Sequence, residues 1–235
     1  MKAVYVVSDL HMFCRRSRWA EHLPAMHAAA ERADIFVFNG DTFDFKWSVL
    51  GSVDATVRAA VRFLTEFAKR HPHCHIHVNL GNHDHVPAFV TALEKACKRV
   101  PNLSWHPYFL RVGNAVFLHG DVAIRKMTQA ELEEYRAHWH KQRVQGELKN
   151  RVYDAAFRAR AHVALSRMAF PPRITLRRVA AYLKDIGQDH RSGVRQVYFG
   201  HTHVPVEGKG YRGVTFYNGG APMEGVPFRV LKAVV

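Results

Sequence analysis

Short apolar runs recur along the chain, and each ends abruptly in polar side chains. Residues 3–7 (AVYVV) lead into Asp9 and His11, and residues 35–38 (IFVF) lead into Gly40 and Asp41. Residues 76–80 (IHVNL) precede Gly81, Asn82, His83 and Asp84; residues 115–118 (AVFL) precede His119, Gly120 and Asp121. Residues 197–199 (VYF) precede Gly200, His201, Thr202 and His203. Rich in β-branched and aromatic residues, these runs have the pattern of strands covered on both faces. Between the early ones lie helical patterns. Residues 55–68 place Val57, Ala60, Val61, Leu64 and Phe67 on one stripe, and residues 86–100 form a second helix. Such alternation predicts an α/β fold with a largely parallel sheet and helices packed on it. Ligands of open α/β sheets collect beyond the carboxyl ends of strands. Five polar sets at five such ends are therefore expected to converge on one edge.

The rhythm breaks from residue 122 to residue 191, where only helix signals occur. Thr128 and Glu131 have capping-box spacing and open a helix carrying Leu132, Tyr135 and Trp139. A second helix covers residues 147–169, with Leu148, Val152, Ala156, Leu165 and Met168 as its apolar positions, and Phe170-Pro171-Pro172 stops it. A third runs from Thr175 to Ile186 with Gly187 as its C-terminal cap. The expectation is a single domain over residues 1–235, with residues 122–191 inserted as a helical cap above the converging edge. No Pro/Gly/Ser-rich linker, repeat or low-complexity tract divides it.

Asp9, His11, Asp41, Asn82, His119, His201 and His203 supply two carboxylates, one amide oxygen and four imidazoles. The set is too rich in nitrogen for calcium or an all-oxygen magnesium site, and it lacks the thiolates of structural zinc. Mixed imidazole and carboxylate ligation suits manganese, iron, zinc or nickel, with manganese the first expectation. Seven ligands exceed the needs of one four- or five-coordinate ion. They fit two divalent ions sharing a carboxylate, roughly 3.5–4 Å apart.

The motifs Asp9-x-His11, Gly40-Asp41-x-x-Asp44, Gly81-Asn82-His83-Asp84, His119-Gly120-Asp121 and Gly200-His201-Thr202-His203 resemble those of the calcineurin-like metallophosphoesterases. Asn218-Gly219-Gly220 is similar to the Asn/Gly turn that often follows in that family. The resemblance implies two packed mixed β-sheets flanked by helices, a four-layer αββα fold with a dinuclear site at the shared edge. By motif position, one metal takes Asp9, His11, Asp41 and His203. The other takes Asp41, Asn82, His119 and His201, with Asp41 bridging. Two divalent ions acidify a shared water to a hydroxide that attacks phosphorus in line, and they stabilise the charge that develops. His83, left without a metal, is expected to hydrogen-bond the phosphate or protonate the leaving oxygen, with Asp84 orienting it. Asp44 and Asp121 are expected behind the ligands, orienting histidines; Asp44 serves equally well as a local turn residue.

Within the family, His119-Gly120-Asp121 followed by a helical insertion resembles the UDP-2,3-diacylglucosamine pyrophosphohydrolases of lipid A synthesis. That likeness implies a lipid-linked nucleotide substrate. The chain departs from the best-known branch, which carries Arg at the position of His83 and different residues at 42–47. The alternative is a broader phosphodiesterase or phosphatase acting on nucleotides or nucleic acid. A third reading is a non-catalytic protein that holds an anionic ligand, although no motif position has lost its ligand.

Charge narrows the partner only to an anion. Thirty-four Lys and Arg against 20 Asp and Glu leave +14, with 17 His uncounted, which points to nucleic acid, an acidic membrane surface or a phosphorylated substrate. Residues 122–191 hold 15 Lys and Arg against 7 Asp and Glu, so +8 lies in the insertion. A cap gripping an anionic, lipid-bearing substrate and a helical cover with charged outer faces both satisfy that count. Arg15, Arg16, Arg125 and Lys126 follow motifs directly and are expected to grip substrate phosphate, against the plainer reading of solvated basic surface. Trp47 either stacks on a base or packs in the core. His71, His73, His75 and His77 have no carboxylate neighbours in sequence and read as loop and strand-face residues. Three cysteines are too few for a disulfide framework and indicate a reducing compartment, with Cys14 an inert thiol. No run approaches the roughly 18 apolar residues of a membrane span, nor does the amino terminus have a signal-peptide core. The expected location is the cytoplasm, with peripheral contact at the inner membrane face.

Overall fold

The computed structural model describes residues 2–141, 144 and 161–235. Its first half alternates β1 (Ala3–Val7), α1 (Trp19–Ala30), β2 (Ile35–Asn39), α2 (Val53–Arg70), β3 (His75–Asn79), α3 (Pro87–Cys97) and β4 (Leu103–His106). Then come β5 (Phe109–Val112), β6 (Ala115–Leu118), α4 (Gln129–Ala137), α5 (Ala161–Ala169) and α6 (Pro172–Asp185). The chain closes with β7 (Gln196–Phe199), β8 (Val206–Tyr211), β9 (Val214–Asn218) and β10 (Leu231–Val234).

Two five-stranded sheets result among the described residues, in the orders β10-β1-β2-β3-β4 and β5-β6-β7-β9-β8. β1 to β4 are parallel and β10 lies antiparallel beside β1. In the second sheet β6, β7 and β9 are parallel, with β5 and β8 antiparallel at the margins. The inner faces meet through Val4, Val6, Ile35 and Val37 on one side and Leu110, Ala115, Phe117 and Tyr198 on the other. Outside the first sheet, α1, α2 and α3 cover a phenylalanine-rich core that includes Phe36, Phe38, Phe67 and Phe89. Each such buried ring contributes about 1.5–3 kcal/mol of transfer free energy.

Local signals account for the helix ends. Ser52 accepts a hydrogen bond from Ala55 N at the start of α2, whose last turn carries Lys69 and Arg70 as the helix dipole favours. The capping box of α4 forms, with Thr128 Oγ1 accepting from Glu131 N and Glu131 accepting from Thr128 N. The proline pair ends α5 as expected. Pro172, however, also opens α6 three residues earlier than the apolar stripe indicates, because a first-turn residue needs no N–H partner. Most of the helix expected over residues 147–169 lies outside the described residues, which give only its end, α5. Trp139 falls beyond α4 in a short 3-10 turn, His138–Lys141.

The expected cap divides in two. Leu132 of α4 and Leu176, Val179, Tyr182 and Leu183 of α6 pack with Val116, Leu118, Val197 and Phe216 on the outer face of the second sheet. Those helices are the fourth layer of the fold. Among the described residues of the segment, Trp139, Ser166 and Phe170 lie beside the histidines at the strand ends.

Two buried amides join the sheets just below that edge. Asn39 Nδ2 donates to Leu118 O and Tyr198 O, and Asn79 Nδ2 donates to Asn39 Oδ1 and Phe117 O. Both side chains lie inside the sandwich, where an unpaired amide would be costly, so the register of one sheet is fixed on the other at the site.

Candidate metal centre and active site

At the carboxyl ends of β1, β2, β6 and β7 the backbone turns sharply to bring side chains together. Asp9, His11, Asp41, His201 and His203 have φ of 54°, 42°, 48°, 65° and 54°, the left-handed region that non-glycine residues rarely occupy. Strain of this kind costs on the order of 1–3 kcal/mol per residue and collects at functional sites. Glycines beside these turns give the ligands room. A Cβ on Gly81 would collide with Asp41 Oδ1, and one on Gly200 with Asp9 Oδ2.

Three trios form, Asp9–His11–His203, Asp41–His119–His201 and, overlapping both through shared residues, His11–Asp41–His83, each with its donor atoms within 4.8 Å of one another. In the first, His11 Nε2 lies 3.1 Å from His203 Nε2, which is 3.5 Å from Asp9 Oδ1. In the second, His119 Nε2 lies 3.1 Å from His201 Nδ1, 3.3 Å from Asn82 Oδ1 and 3.4 Å from Asp41 Oδ2. The same Asp41 oxygen is 3.8 Å from His11 Nε2, so it stands between the first two trios. Two donors each about 2.1 Å from one ion, at tetrahedral or right-angle geometry, are separated by about 3.0–3.4 Å. Donor types and spacings therefore fit divalent cations.

Electrostatics points the same way. Burial opposes charge on His119, but Asp41, Asp121 and Asp9 outweigh it and lift the imidazole to about 10. Burial and the neighbouring His119 push His201 down to about 4. Buried Asp41 resists its charge, yet His119, His83 and His11 hold it well below the usual carboxylate range. Carboxylates thus hold surplus negative charge here, and a proton or a metal ion answers it.

The sequence matches the calcineurin-like phosphoesterase family over residues 2–205. The chain belongs to this family. No curated protein matches it by sequence. Among solved structures it is similar to Yfce, a phosphoesterase from E. coli, at 14% identity over 98% of this chain and 87% of that one, with a TM-score of 0.42. It is also similar to a dimetal phosphatase from Danio rerio, at 10% identity over 95% and 88%, with a TM-score of 0.49. This member of the calcineurin-like family is a metal-dependent phosphoesterase that acts on a phosphate-containing substrate.

Around the candidate metal-binding trios, several side chains have other partners than expected. The carboxylate beside His83 is Asp44, not the adjacent Asp84: Asp44 Oδ1 lies 3.3 Å from His83 Nδ1 and Asp44 Oδ2 lies 3.5 Å from His11 Nδ1. Asp84 instead accepts from Thr42 N and Gly81 N, tying the loops after β2 and β3 together. Its burial and the charge of Asp41 raise it to about 7. Asp44 also caps its own turn, accepting from Lys46 N and Trp47 N, so both readings of it hold in geometry. Burial disfavours charge on His83, and Asp44 and Asp41 overturn that, raising it to about 9.

Asp121 makes its close contact with Arg136 rather than with a histidine. The guanidinium Nε and Nη2 each lie 2.9 Å from a carboxylate oxygen, and Nη1 donates to Pro107 O. Both partners are buried. Burial raises Asp121, but Arg136 and then His119 pull it down to about 2. Nothing in the sequence singled out Arg136, although it is the one cation of α4, beside Glu131, Glu133 and Glu134.

The four expected phosphate contacts separate. Arg16 lines a cleft of about 170 Å³ together with His11, His83, His201 and His203. Its guanidinium sits 4.9 Å above the Trp47 ring, which settles Trp47 as a wall of the cleft. Arg15 is exposed outside that lining. Arg125 pairs at 3.5 Å with Glu131, and Lys126 lines a different depression. Ser166 and Met223 also line the cleft, while Trp139 packs 5.0 Å from His83 and Phe170 5.9 Å from His201. Cys14 borders the cleft as a thiol that burial and Asp44 raise to about 11, unsuited to nucleophilic attack at neutral pH.

The histidine tract is not uniform. His75 and His77 lie on β3, with His75 Nε2 2.9 Å from Ser104 Oγ and His77 Nδ1 2.9 Å from His106 Nε2. His71 lies in the loop after α2 and is buried there, between His27 at 2.7 Å and Glu31 at 3.0 Å. None of the tract joins a metal-binding group among the described residues. Among those residues, too, no helix is long and apolar enough to cross a membrane.

Proposed function

We propose that the chain hydrolyses a phosphoester or pyrophosphate bond at two divalent ions, one held by Asp9, His11, Asp41 and His203 and the other by Asp41, Asn82, His119 and His201. The position of Asp41 Oδ2, 3.4 Å from one histidine and 3.8 Å from the other, carries this reading, because one carboxylate then serves both sites. Bound ions supply an activated water and positive charge for the phosphoryl oxygens. Manganese is the proposed metal; iron, zinc and nickel suit the same donors.

The remaining steps belong to side chains. Asp44 holds His83 as an imidazolium, and His83 passes its Nε2 proton to the oxygen of the departing group. Asp44 also steadies His11 through Nδ1, while Asp84 keeps the loop bearing His83 in register with the loop bearing Asp41. Arg16 donates to a non-reacting phosphate, and Trp47 offers a flat face to the group attached to it.

The proposed substrate is a lipid-linked nucleotide of the UDP-diacylglucosamine kind, met in the cytoplasm at the inner membrane face. Support comes from the exposed apolar residues. Among the described residues the exposed large hydrophobics are Val49, Leu50, Leu165 and Met168. Leu165 and Met168 lie within two residues of Ser166, and Val49 and Leu50 within three of Trp47, so the four are near cleft residues along the chain. The other reading is a phosphodiesterase or phosphatase for nucleotides or nucleic acid, and His83 favours it as the residue of general phosphoesterases. Assay with manganese against a monoester, a diester, a nucleotide diphosphate and a UDP-acyl-sugar decides. UMP release from the last supports the lipid reading, whereas diester cleavage without UMP release supports the other. Failure to hydrolyse any of the four with metal bound would overturn both substrate readings.

A further inference from the structure

Away from the metal cleft, two depressions adjoin along α6 and the β8–β9 hairpin. The first, of about 410 Å³, has Leu183, Tyr211, Val214 and Phe216 in its lining, with Lys184 and Arg191. The second, of about 440 Å³, is lined by Lys126, Arg177, Arg178 and Ala181. Arg212 lines both, and neither shares a residue with the cleft of His11 and His83.

The trough gathers several cations that lack a carboxylate partner around one recess. Some cations elsewhere pair with carboxylates, as in Arg62–Glu66, Lys98–Glu94, Arg125–Glu131 and Arg229–Glu207, while scattered ones such as Arg58, Lys69 and Lys95 do not among the described residues. What marks the trough is the grouping of such cations around an apolar floor. Among the described residues, Lys126, Arg177, Lys184, Arg191 and Arg212 have no carboxylate within ion-pair distance. Of the nearby acids, Asp189 lines the first depression and spends a carboxylate oxygen on Arg191 N, and Asp185 at the end of α6 accepts from Gln129 N. Arg178 is fixed in place by donating to Ala123 O at 2.7 Å. Arg212 stands at φ 50° in the hairpin turn, a conformation better suited to Asn or Gly, and its guanidinium lies 5.5 Å over the Tyr211 ring.

We infer that this trough is a second, non-catalytic site for single-stranded nucleic acid, with phosphates along its cations and a base on the apolar floor beside Tyr211. From Arg177 to Lys184 the cations extend about 10 Å along α6, too far for one phosphate group to answer them all. An aromatic ring within a basic groove is the arrangement that accepts a strand without reading its sequence. A flat bilayer surface would meet the basic rim but leave the recessed floor of Leu183 and Phe216 empty.

The test is fluorescence anisotropy of a labelled oligouridylate of about ten nucleotides, titrated with the full chain over salt from about 50 to 200 mM. Probe integrity is checked on a gel, so that cleavage at the metal centre is read separately from binding. Each phosphate neutralised contributes about −0.7 to the slope of log K against log salt, so four or five contacts give about −3. Arg177→Glu/Arg212→Glu should weaken binding by about tenfold or more and make that slope shallower by about 1.4, at an unchanged thermal midpoint. Arg62→Glu/Lys98→Glu changes the net charge equally on another surface and should leave affinity within about twofold. If that control weakens binding as much, the attraction is general and the trough is no site. Tighter binding to phosphatidylglycerol vesicles than to the oligonucleotide would overturn the proposal in favour of a membrane surface. Should the double variant melt early, the single exposed-residue change Arg177→Gln must still lower the slope, and an unchanged slope there refutes it.

Discussion

Asp41 and Asp121 are both buried carboxylates just beyond strand ends, yet they are neutralised in opposite ways. Asp121 meets a guanidinium from its own chain at 2.9 Å on both oxygens, and a backbone carbonyl takes a further Arg136 donor. Asp41 meets imidazoles at 3.4 and 3.8 Å and the backbone N–H of His83 at 2.8 Å, from a left-handed backbone at φ 48°. Where only architecture is at stake, the chain supplies a fixed cation in good geometry. Where chemistry is at stake, it supplies donors spaced for an exchangeable one. The first arrangement anchors α4 to the strand ends, and the second is what that anchoring keeps in place.

The sharpest way to break this contrast is to remove each carboxylate's function in turn. Asp41→Asn should lower turnover on any substrate found by about 10³-fold or more, comparable to losing a principal electrostatic element. Metal analysis should show fewer ions per chain. Retained turnover would end the bridging role. Arg136→Met, by contrast, should destabilise the fold by about 3–5 kcal/mol, because it strands Asp121 without a partner. Adding Asp121→Leu should recover much of that loss, which denaturant melts can read; no recovery would mean that the ion pair itself is not the issue.

A finer probe lies between the two. Asp44 contacts no proposed metal site directly, but it touches both His11 and His83. Asp44→Asn should cost about 10–100-fold in turnover or metal affinity, as loss of a carboxylate behind a histidine does. His83→Ala should retain its metals and lose about 10²–10⁴-fold in turnover. If Asp84→Asn proves more damaging to turnover than Asp44→Asn at equal metal content, the pairing seen here is not the working one.

What sequence made legible follows the same division. The five apolar runs named a strand core and placed seven donor residues at strand ends, because a buried parallel strand is a dense local signal. The other strands left weaker traces: β8 is mostly exposed, with the sequence VEGKGY, and β4, β5 and β10 are four residues each. Helix α1 gave a poor pattern because Pro24 interrupts it. The stripes of α4 and α6 were visible, but a stripe does not say which surface it will cover, so a layer of the fold read as cap. Side-chain partners across loops were the least accessible. Asp84 is adjacent to His83 in sequence, yet Asp44 from the loop after β2 is its neighbour in space. Lys126 follows a site motif and faces a different depression.

Acid and alkali should separate the two clusters in the chelated, metal-free protein. Arg136 holds Asp121 at about 2 against about 3.9 in an unfolded chain. A lowered folded-state value means stabilisation that is present above pH 4 and disappears as pH falls toward 2, about 2–3 kcal/mol in all. His119 runs the other way. Its folded value of about 10 exceeds the unfolded 6.5, so its contribution is full below pH 6.5 and is lost as pH rises through 10. Comparing wild type with Arg136→Met/Asp121→Leu by denaturant melts should show a difference that changes between pH 4 and 2 and is flat from pH 5 to 7. Comparing wild type with His119→Gln should show the opposite limb, changing between pH 7 and 10. Saturating divalent metal should abolish that alkaline limb, since the metal replaces the proton on the imidazole, and leave the acid limb untouched. An alkaline limb that survives metal would place His119 outside the centre, however well its distances fit.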